Sequence, residues 1–361
     1  MQEYDYNEAI PIKYVLYGQF VKYEKMDELF TPYFQTHPLT NNWINIYIDL
    51  YQMLLPIYKF QKIDNPYDIT STVCNMAIHY KDYFRQRGIN SFVFLLYSPT
   101  TGAYSNLRFC PEYNSTYTAR MMNNRMVYDL VNQNLSLIGI ITPYLPNIYF
   151  KMGTVETSVM AYDMITKFNN RNMKLNSLFI TSSQYAFQLA GNMNANCTLL
   201  YKKKDKDKND ISYLVSTEDA LDKYIAEIKN QHIEHHPVRQ SWLSGFMTLS
   251  GIPKRNIKSI YNYKQALNIL NKIDQQFDQT TPDSLFSIAT DLYPKSNLGQ
   301  ETYDNIINRY KCIDMDYQLF MYHNTPDAIE TGFLKQKDDM ETLMQLNDKY
   351  FKLNPISIDK L

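Results

Sequence analysis

The amino-acid sequence predicts an α/β fold in which a parallel central sheet is flanked by helices. Two apolar strand-like runs, residues 43–50 and 91–97, are separated by an amphipathic helix pattern at 68–87. A strand, a helix and a strand at this spacing are typical of a parallel crossover unit. A third buried run at 177–180 leads directly into a polar turn at 181–183. Because open parallel sheets bind ligands beyond the carboxyl ends of their strands, that turn is the expected position of a functional site.

The composition is that of a globular chain with balanced charge. Its 361 residues include 36 basic and 37 acidic side chains, so no overall field attracts it to nucleic acid or to a membrane. The four cysteines have no metal-ligand spacing, which indicates buried free thiols in a reducing compartment. Since the apolar stretches are shorter than a membrane span, we expect no membrane partner.

The first half of the chain predicts an N-terminal extension followed by the α/β domain. Residues 1–41 form the extension, whose helix pattern at 24–30 is ended by Pro32. It is too short to bury its own core, so we expect it to lie on the main body or to reach a partner. The α/β domain covers residues 42–215, with further helices at 117–134 and 155–169, a strand at 136–142, and a strand hairpin around the charged segment 202–210.

The second half predicts helices. Residues 216–275 contain a helix with a polar N-cap, a loop with His232, His235 and His236, and then a helix, a tight turn at 251–257 and a second helix. The histidines have no acid or cysteine at a fixed spacing, so we expect a surface loop and no metal. Residues 276–361 form a helical C-terminal extension, clearest at 338–351.

Several segments carry a family resemblance when they are taken in order between residues 43 and 272. Ile46-Tyr47-Ile48-Asp49 ends a strand in aspartate, residues 108–114 combine an arginine with Pro-Glu-Tyr-Asn, and residues 155–159 read Val-Glu-Thr-Ser-Val. Residues 179–189 end in Gln188-Leu189, and residues 249–270 form the helix-turn-helix pattern. This order resembles the flap endonuclease and 5′ exonuclease family, within the PIN-like superfamily, in its phage-type single-chain form.

The resemblance implies a site that has lost most of its metal ligands. The family holds two magnesium ions with a cage of carboxylates, because Mg²⁺ prefers oxygen ligands and two adjacent ions need several negative charges. At the matching positions this chain keeps Asp49 and Glu156. Six positions at which the family has aspartates are occupied here by Ser98, Ser158, Val159, Ser183, Tyr185 and Arg255. Two carboxylates cannot replace such a cage, and an arginine nearby would repel the ions. We therefore expect no metal, no cofactor and no catalytic residue at this vestigial site.

Two other working parts of the family are also changed. The arch lysine is replaced by Asn114, and the glycines of the helix-turn-helix are replaced in Ser259-Ile260-Tyr261-Asn262-Tyr263. Side chains there would hold a phosphate away from the backbone. For Asp49 and Glu156 we expect a structural role, each capping the helix that follows it.

The sequence therefore favours a catalytically inactive 5′-nuclease-like protein reused as a structural or binding module. The 32 tyrosines suit a surface buried in an assembly, although an AT-rich genome explains them more simply. We expect a bacteriophage or other viral protein, with a virion component as one form of it. The expected partners are other proteins of an assembly, and the expected location is the host cytoplasm or the virion.

Two alternatives stay open. The first is an active metal-dependent 5′ nuclease that needs Mg²⁺ and recruits Asp129, Asp163 or Asp210 to a rearranged site. The second is a DNA-binding protein that does not cleave and contacts phosphates through four basic residues of the helix-turn-helix, Lys254, Arg255, Lys258 and Lys264. Four such residues are also common on a plain solvated face.

Overall fold

The computed structural model describes residues 20–59, 65–98, 109–111, 125–171, 173, 175–204, 210–229, 235–294, 300–324 and 332–361. Predictions that concern Arg108, Asn114, the charged loop at 205–209 and His232 lie outside these residues. The division into four regions stays a prediction.

A six-stranded sheet forms the centre of the molecule, in the order β3-β2-β1-β4-β5-β6. Strands β1 to β5 are parallel, and β6 pairs with β5 in the antiparallel direction. The parallel sheet confirms the predicted fold class, and the β5–β6 pair confirms the predicted hairpin. The strands are β1 Trp43–Asp49, β2 Asn90–Tyr97, β3 Ile148–Met152, β4 Asn176–Thr181, β5 Cys197–Lys204 and β6 Asp210–Val215.

Helices cover both faces of the sheet, as a mostly parallel sheet requires. They are α1 Tyr23–Thr36, α2 Leu50–Leu54, α3 Asp68–Arg85, α4 Arg125–Ile141, α5 Thr157–Asn170, α6 Phe187–Gly191, α7 Ala220–Lys229, α8 Leu243–Ser250, α9 Tyr263–Asp274, α10 Pro282–Leu292, α11 Gln300–Ile313, α12 Met315–Asn324 and α13 Met340–Tyr350.

The alternation of side chains along the strands divides the core into two layers. Tyr47 and Phe179 point to the layer that contains α5 to α12. Ile46 and Ile48 point to the opposite layer, with α1 to α4 and α13. Both layers are mainly apolar, although Asn45, Lys151 and Lys202 of the strands are also buried.

Two sequence predictions of local structure were wrong. The strand predicted at 136–142 is the end of helix α4, and the strand in this part of the chain is β3, which begins at Ile148. A short apolar run cannot be assigned to helix or strand by periodicity alone. Pro32 does not end the N-terminal helix, because α1 continues to Thr36 with the proline inside it.

The described part of the N-terminal extension lies on the main body. Met26 and Phe30 of α1 are buried, and the Tyr23 hydroxyl donates to Asp82 Oδ2 of α3 at 2.9 Å. Tyr33 also bonds Thr198 of β5 across 2.6 Å. One of the two expectations for this extension, packing against the body, therefore holds for residues 20–41.

Candidate functional site

The candidate site lies where β1 and β4 end, beneath the turn between α8 and α9. Asp49 is the last residue of β1 and is buried. Its Oδ1 accepts a hydrogen bond from the backbone N–H of Gln52 at 3.2 Å, which caps α2. Its Oδ2 accepts from the Thr181 hydroxyl, at the end of β4, at 2.7 Å. The predicted capping role of Asp49 is confirmed.

Glu156 has a different role from the one predicted. It occupies the N-cap position of α5, but its side chain makes no capping hydrogen bond. Instead its Oε2 accepts from Arg255 Nη2 at 3.1 Å, and the same nitrogen donates to the Ser183 hydroxyl at 2.9 Å. The Glu156 and Arg255 side chains are 5% and 3% exposed. A buried guanidinium thus joins the start of α5 to the turn after β4, and the capping prediction for Glu156 was wrong.

The electrostatics of the site follow from burial and from this guanidinium. Burial raises the pKa of Asp49, while the hydrogen bonds from Thr181 and Gln52 and the charge of Arg255 act to lower it. The carboxyl group is thus held near a fixed positive charge, but in surroundings that disfavour its ionised form.

The residues of this site do not fit the pair of magnesium ions that the resemblance implies. Both carboxylates already accept hydrogen bonds from protein groups, and Glu156 is paired with a cation. A divalent ion there would lie within a few ångströms of the guanidinium, where repulsion between charges is strong in a buried setting. Across the described residues, no group of three or more His, Cys, Asp or Glu side chains could hold a metal ion.

The other matching positions are buried in the same neighbourhood or in the core. Ser98 follows β2, and its buried hydroxyl has no hydrogen-bond partner among the described residues. Ser158 is buried in the first turn of α5. Tyr185 is fully buried, and its hydroxyl donates to the carbonyl oxygen of Cys312 in α11 at 3.3 Å. Tyr185 therefore connects this end of the sheet to the C-terminal helices.

The interhelix turn, residues 251–262, places Arg255 over the site. Gly251 has φ of +74°, and a Cβ atom there would lie 2.4 Å from the carbonyl oxygen of Ile257. Ile252 and Ile257 form an isolated antiparallel bridge, and Asn256 adopts the left-handed conformation. The chain therefore doubles back tightly, and only glycine fits at position 251.

Lys254, on the other side of the same turn, is held by contacts with Glu227 and Tyr201. Its Nζ lies 2.8 Å from Glu227 Oε1 of α7 and 3.1 Å from the Tyr201 hydroxyl. Lys203 Nζ of β5 contacts the other oxygen of Glu227 at 2.7 Å. Burial acts to raise the pKa of Glu227, but the hydrogen bonds and charges of Lys203 and Lys254 hold it below the ordinary value.

The four basic residues predicted to contact DNA are therefore not equivalent. Lys258 and Lys264 are exposed, Lys254 is half-exposed and Arg255 is buried. In addition, the backbone N–H groups of Ile260 and Tyr261 both donate to the carbonyl oxygen of Leu249, at 2.8 and 3.0 Å. These two donors are used inside the chain. The DNA-contact hypothesis stays a prediction, and its exposed members that are not paired with Glu227 are Lys258 and Lys264.

The three acids named for a rearranged site lie on separate elements. Asp163 is fully buried in α5, where Lys167 Nζ is at 2.6 Å and His323 Nε2 at 2.8 Å. Asp129 is exposed on α4, and Asp210 is exposed at the start of β6 with Lys204 at 3.3 Å. That alternative stays a prediction as well.

Sequence reasoning missed two groups that organise this end of the sheet. Thr181 was read only as part of a turn, and Glu227 was not singled out. A hydroxyl directly after a buried strand was the available signal for Thr181. Glu227 offered no signal, because an acid in an amphipathic helix is usually solvated.

No protein-family profile and no curated protein sequence matches the chain. Solved structures do match. A bacteriophage T5 flap endonuclease in a pseudo-enzyme–product complex with DNA and metal ions has a TM-score of 0.49 at 11% identity, over 78% of this chain and 94% of that one. The T5 5′-exonuclease with bound zinc has a TM-score of 0.46 at 10% identity, over 78% and 92%.

Human GEN1 in complex with Holliday junction DNA has a TM-score of 0.43 at 10% identity, over 85% of this chain and 68% of that one. The parallel sheet with helices on both faces establishes the fold class independently of these matches. Within the described residues, no helix is long and apolar enough to cross a membrane.

Proposed function

We propose that this chain is a 5′-nuclease-like scaffold that acts as a binding or structural module and does not catalyse metal-dependent cleavage. The observation that supports the proposal is the buried contact of Arg255 with Glu156 and Ser183. An internal cation there neutralises one of the two remaining carboxylates. The Thr181 hydroxyl extends the hydrogen-bonded network to Asp49, and the Ser183 hydroxyl joins Arg255 to the turn after β4.

The proposal is tested by cleavage of flap and nicked duplex DNA in the presence of Mg²⁺ or Mn²⁺. We expect no product above that of an EDTA control. Cleavage that is sensitive to EDTA and abolished by Asp49→Ala would contradict the proposal. Asp348→Ala is the control for Asp49→Ala, since Asp348 is exposed on α13 and is not one of the candidate metal ligands.

The same assay separates the proposal from the rearranged-site alternative. Cleavage that survives Asp49→Ala but is lost in Asp163→Ala, Asp210→Ala or Asp129→Ala would favour an active nuclease with Mg²⁺ as cofactor. Thermal unfolding with and without Mn²⁺ gives a readout that does not depend on activity, because a bound ion raises the melting temperature. We expect no shift.

The partners that we propose are other proteins of an assembly, viral in origin, in the host cytoplasm or the virion. The tyrosine-rich composition and the neutralised site support this choice. Co-purification with assembled particles tests it, whereas recovery with replication proteins alone would contradict it.

DNA binding without cleavage is the second candidate, and the exposure of Lys258 and Lys264 beside the interhelix turn favours it. Retention on duplex DNA that falls with salt and is lost when both lysines are changed to alanine would support it.

A further inference from the structure

Lys202 of β5 is a buried lysine without a counterion. Side chains alternate along the strand, so Lys202 shares a face of the sheet with Leu200, which belongs to the layer of α1 and α3. The residue is 8% exposed, and its Nζ has no hydrogen-bond partner in the part of the chain that the structure describes. Because a buried ammonium group is costly unless it is paired, this position favours the neutral amine.

His79 of α3 is a second basic group on this side of the sheet, and it touches the start of α1. Its Nε2 lies 2.8 Å from the carbonyl oxygen of Val21. Its ring lies 4.5 Å from the ring of Tyr23 and 5.5 Å from that of Phe20. Since a carbonyl oxygen can only accept, Nε2 carries the hydrogen of this contact, which a neutral ring can supply.

The chain that enters α1 rests on this short stretch of α3. The backbone N–H of Val21 donates to the Tyr80 hydroxyl at 3.3 Å, and the Tyr23 hydroxyl lies 3.1 Å from the carbonyl oxygen of His79. Beyond this contact, Met26 and Phe30 are the buried side chains of α1. A charge that develops beneath the start of α1 therefore acts on the docking of the whole helix.

The charges around the two bases oppose their protonation. Burial lowers the pKa of Lys202 to about 7, with Asp210 acting to raise it and Lys204 to lower it. Burial also lowers the pKa of His79, and the charges of Lys360 and Lys202 lower it further, against the Val21 carbonyl and Asp82. The charged and titratable groups near the pair are Tyr23 of α1, Lys81, Asp82 and Arg85 of α3, Lys204 of β5, Asp210 of β6 and Lys360 of the C-terminal segment.

We propose that α1 is a pH-controlled lid, which lies on the main body while Lys202 and His79 are neutral and is released when they take up protons. Its release uncovers the apolar side of α1 at Met26 and Phe30 and the face of the sheet beneath it. The two expectations for the N-terminal extension, that it lies on the main body or reaches a partner, are then two states of one equilibrium. The inference does not depend on the proposed function.

The direction of the pH dependence follows from the two bases. Each has a lower pKa in the docked state than when it is exposed, so docking is favoured at high pH and weakens as the pH falls. For Lys202 the weakening develops between the ordinary value of 10.5 and about 7, and it is complete below that range. For His79 it begins near the ordinary value of 6.5 and continues to lower pH. The two ranges adjoin, so release extends from alkaline into mildly acidic solution.

Hydrogen–deuterium exchange of the full-length chain, followed by mass spectrometry, measures the release of α1. Exchange of residues 23–36 is compared between the unaltered chain and Lys202→Met at the same pH, because the ratio removes the intrinsic pH dependence of exchange. Methionine has a similar length and takes up no proton. We expect α1 to exchange about tenfold more slowly in the variant at pH 7, with the ratio narrowing toward one as the pH rises to 9.

Two further variants make the result specific. Lys204→Met changes a 62% exposed lysine of the same strand, and it should alter the exchange of α1 by less than about twofold, as surface substitutions usually do. His79→Gln keeps a donor for the Val21 carbonyl but cannot be protonated. It should slow the exchange of α1 below pH 6.5, the ordinary pKa of histidine, and leave it unchanged at pH 8.

The other outcomes count against the lid. Equal exchange of α1 in the unaltered chain and in Lys202→Met at pH 7, or a ratio that does not change with pH, would overturn the proposal. Slowing that β1 shares equally would show that Lys202 acts on global stability and not on the docking of α1, which also overturns it. If Lys202→Met does not fold, as judged by circular dichroism, Lys202→Gln is used, since it is neutral as well.

Discussion

Lys254 and Arg255 are neighbours in the sequence but lie in opposite environments. Lys254 pairs with Glu227 from a side chain that is 46% exposed, whereas the Arg255 side chain is 3% exposed and pairs with the equally buried Glu156. Both contacts hold the interhelix turn against the sheet. The first joins a half-exposed lysine to the buried Glu227 of α7, and the second closes the end of the sheet from inside.

The difference in burial predicts which ion pair costs more stability when its basic residue is removed. The Lys254–Glu227 pair gains little, because water screens the lysine, whose side chain is 46% exposed, and because the buried Glu227 keeps Lys203 as a partner when Lys254 is removed. A buried pair also gains little net free energy, but removing one partner leaves an uncompensated charge in the interior, which is costly. The two basic residues should therefore respond very differently to the same substitution.

Arg255→Ala should have the largest effect. It leaves Glu156 buried without its cation, so we expect a loss of about 3–5 kcal/mol in the free energy of unfolding. Urea denaturation followed by circular dichroism measures it. Lys254→Ala is the matched control and should cost less than about 1 kcal/mol.

The double variant Glu156→Gln with Arg255→Met tests the cause of that loss. It removes both charges and keeps similar volumes, so stability should return most of the way toward that of the unaltered chain. A double variant as unstable as Arg255→Ala would indicate that the turn itself, and not the unpaired carboxylate, had been disrupted.

Glu227→Gln should have the next largest effect, about 1–2 kcal/mol at neutral pH, because it weakens two hydrogen bonds from charged lysines. The pKa of Glu227 is lowered in the folded protein from its ordinary value of 4.5, against the effect of burial. Its contribution is therefore present above that value and is lost as pH falls through the lower folded pKa. Unfolding curves measured from pH 7 to pH 3 should converge for the two proteins. A constant gap over that range would contradict the assignment.

Asp49→Asn should have a smaller effect and the opposite sign. Burial raises the pKa of Asp49 above its ordinary value of 3.8, so the stabilisation linked to its proton is present below that value and is lost as pH rises through the folded pKa. Asparagine is neutral, and its Oδ1 can still accept from the Gln52 N–H, while its Nδ2 can donate to the Thr181 hydroxyl once that hydroxyl turns to accept. We expect the variant to be about 1 kcal/mol more stable at pH 7, with the gap narrowing in acid. A destabilised variant at pH 7 would show that the ionised carboxylate is needed.

The sequence predicted the scaffold better than it predicted the roles of the site residues. Strand runs such as 43–49 and 176–181 are apolar enough to identify buried strands, and the hairpin at β5 and β6 follows from its charged loop. The run at 136–142 failed because an apolar helix end and a buried strand look alike over seven residues. The aspartate at the end of β1 was correctly assigned as a cap, since that role depends only on neighbours in the chain.

Glu156 and Arg255 could not be assigned to each other, because they are 99 positions apart and meet only after α5 and the interhelix turn have folded. The sequence pattern placed Arg255 among four basic residues with a common role. Periodicity reports which face a residue shares with its near neighbours, but not whether a distant partner covers it.

Changing Lys258 and Lys264 together to alanine should have the smallest effect on stability. Both side chains are exposed, and surface substitutions of this kind usually change the free energy of unfolding by less than about 0.5 kcal/mol.

The informative readout is retention on duplex DNA at several salt concentrations. If the scaffold contacts phosphates here, the variant should bind more weakly, and its salt dependence should be shallower because two counterion-releasing contacts are gone. If the two proteins are retained identically, the half-exposed Lys254 and the buried Arg255 are the remaining candidates for phosphate contact among the four basic residues. Arg255 could then reach a phosphate only by breaking its contact with Glu156, so equal retention would count against DNA binding by this turn.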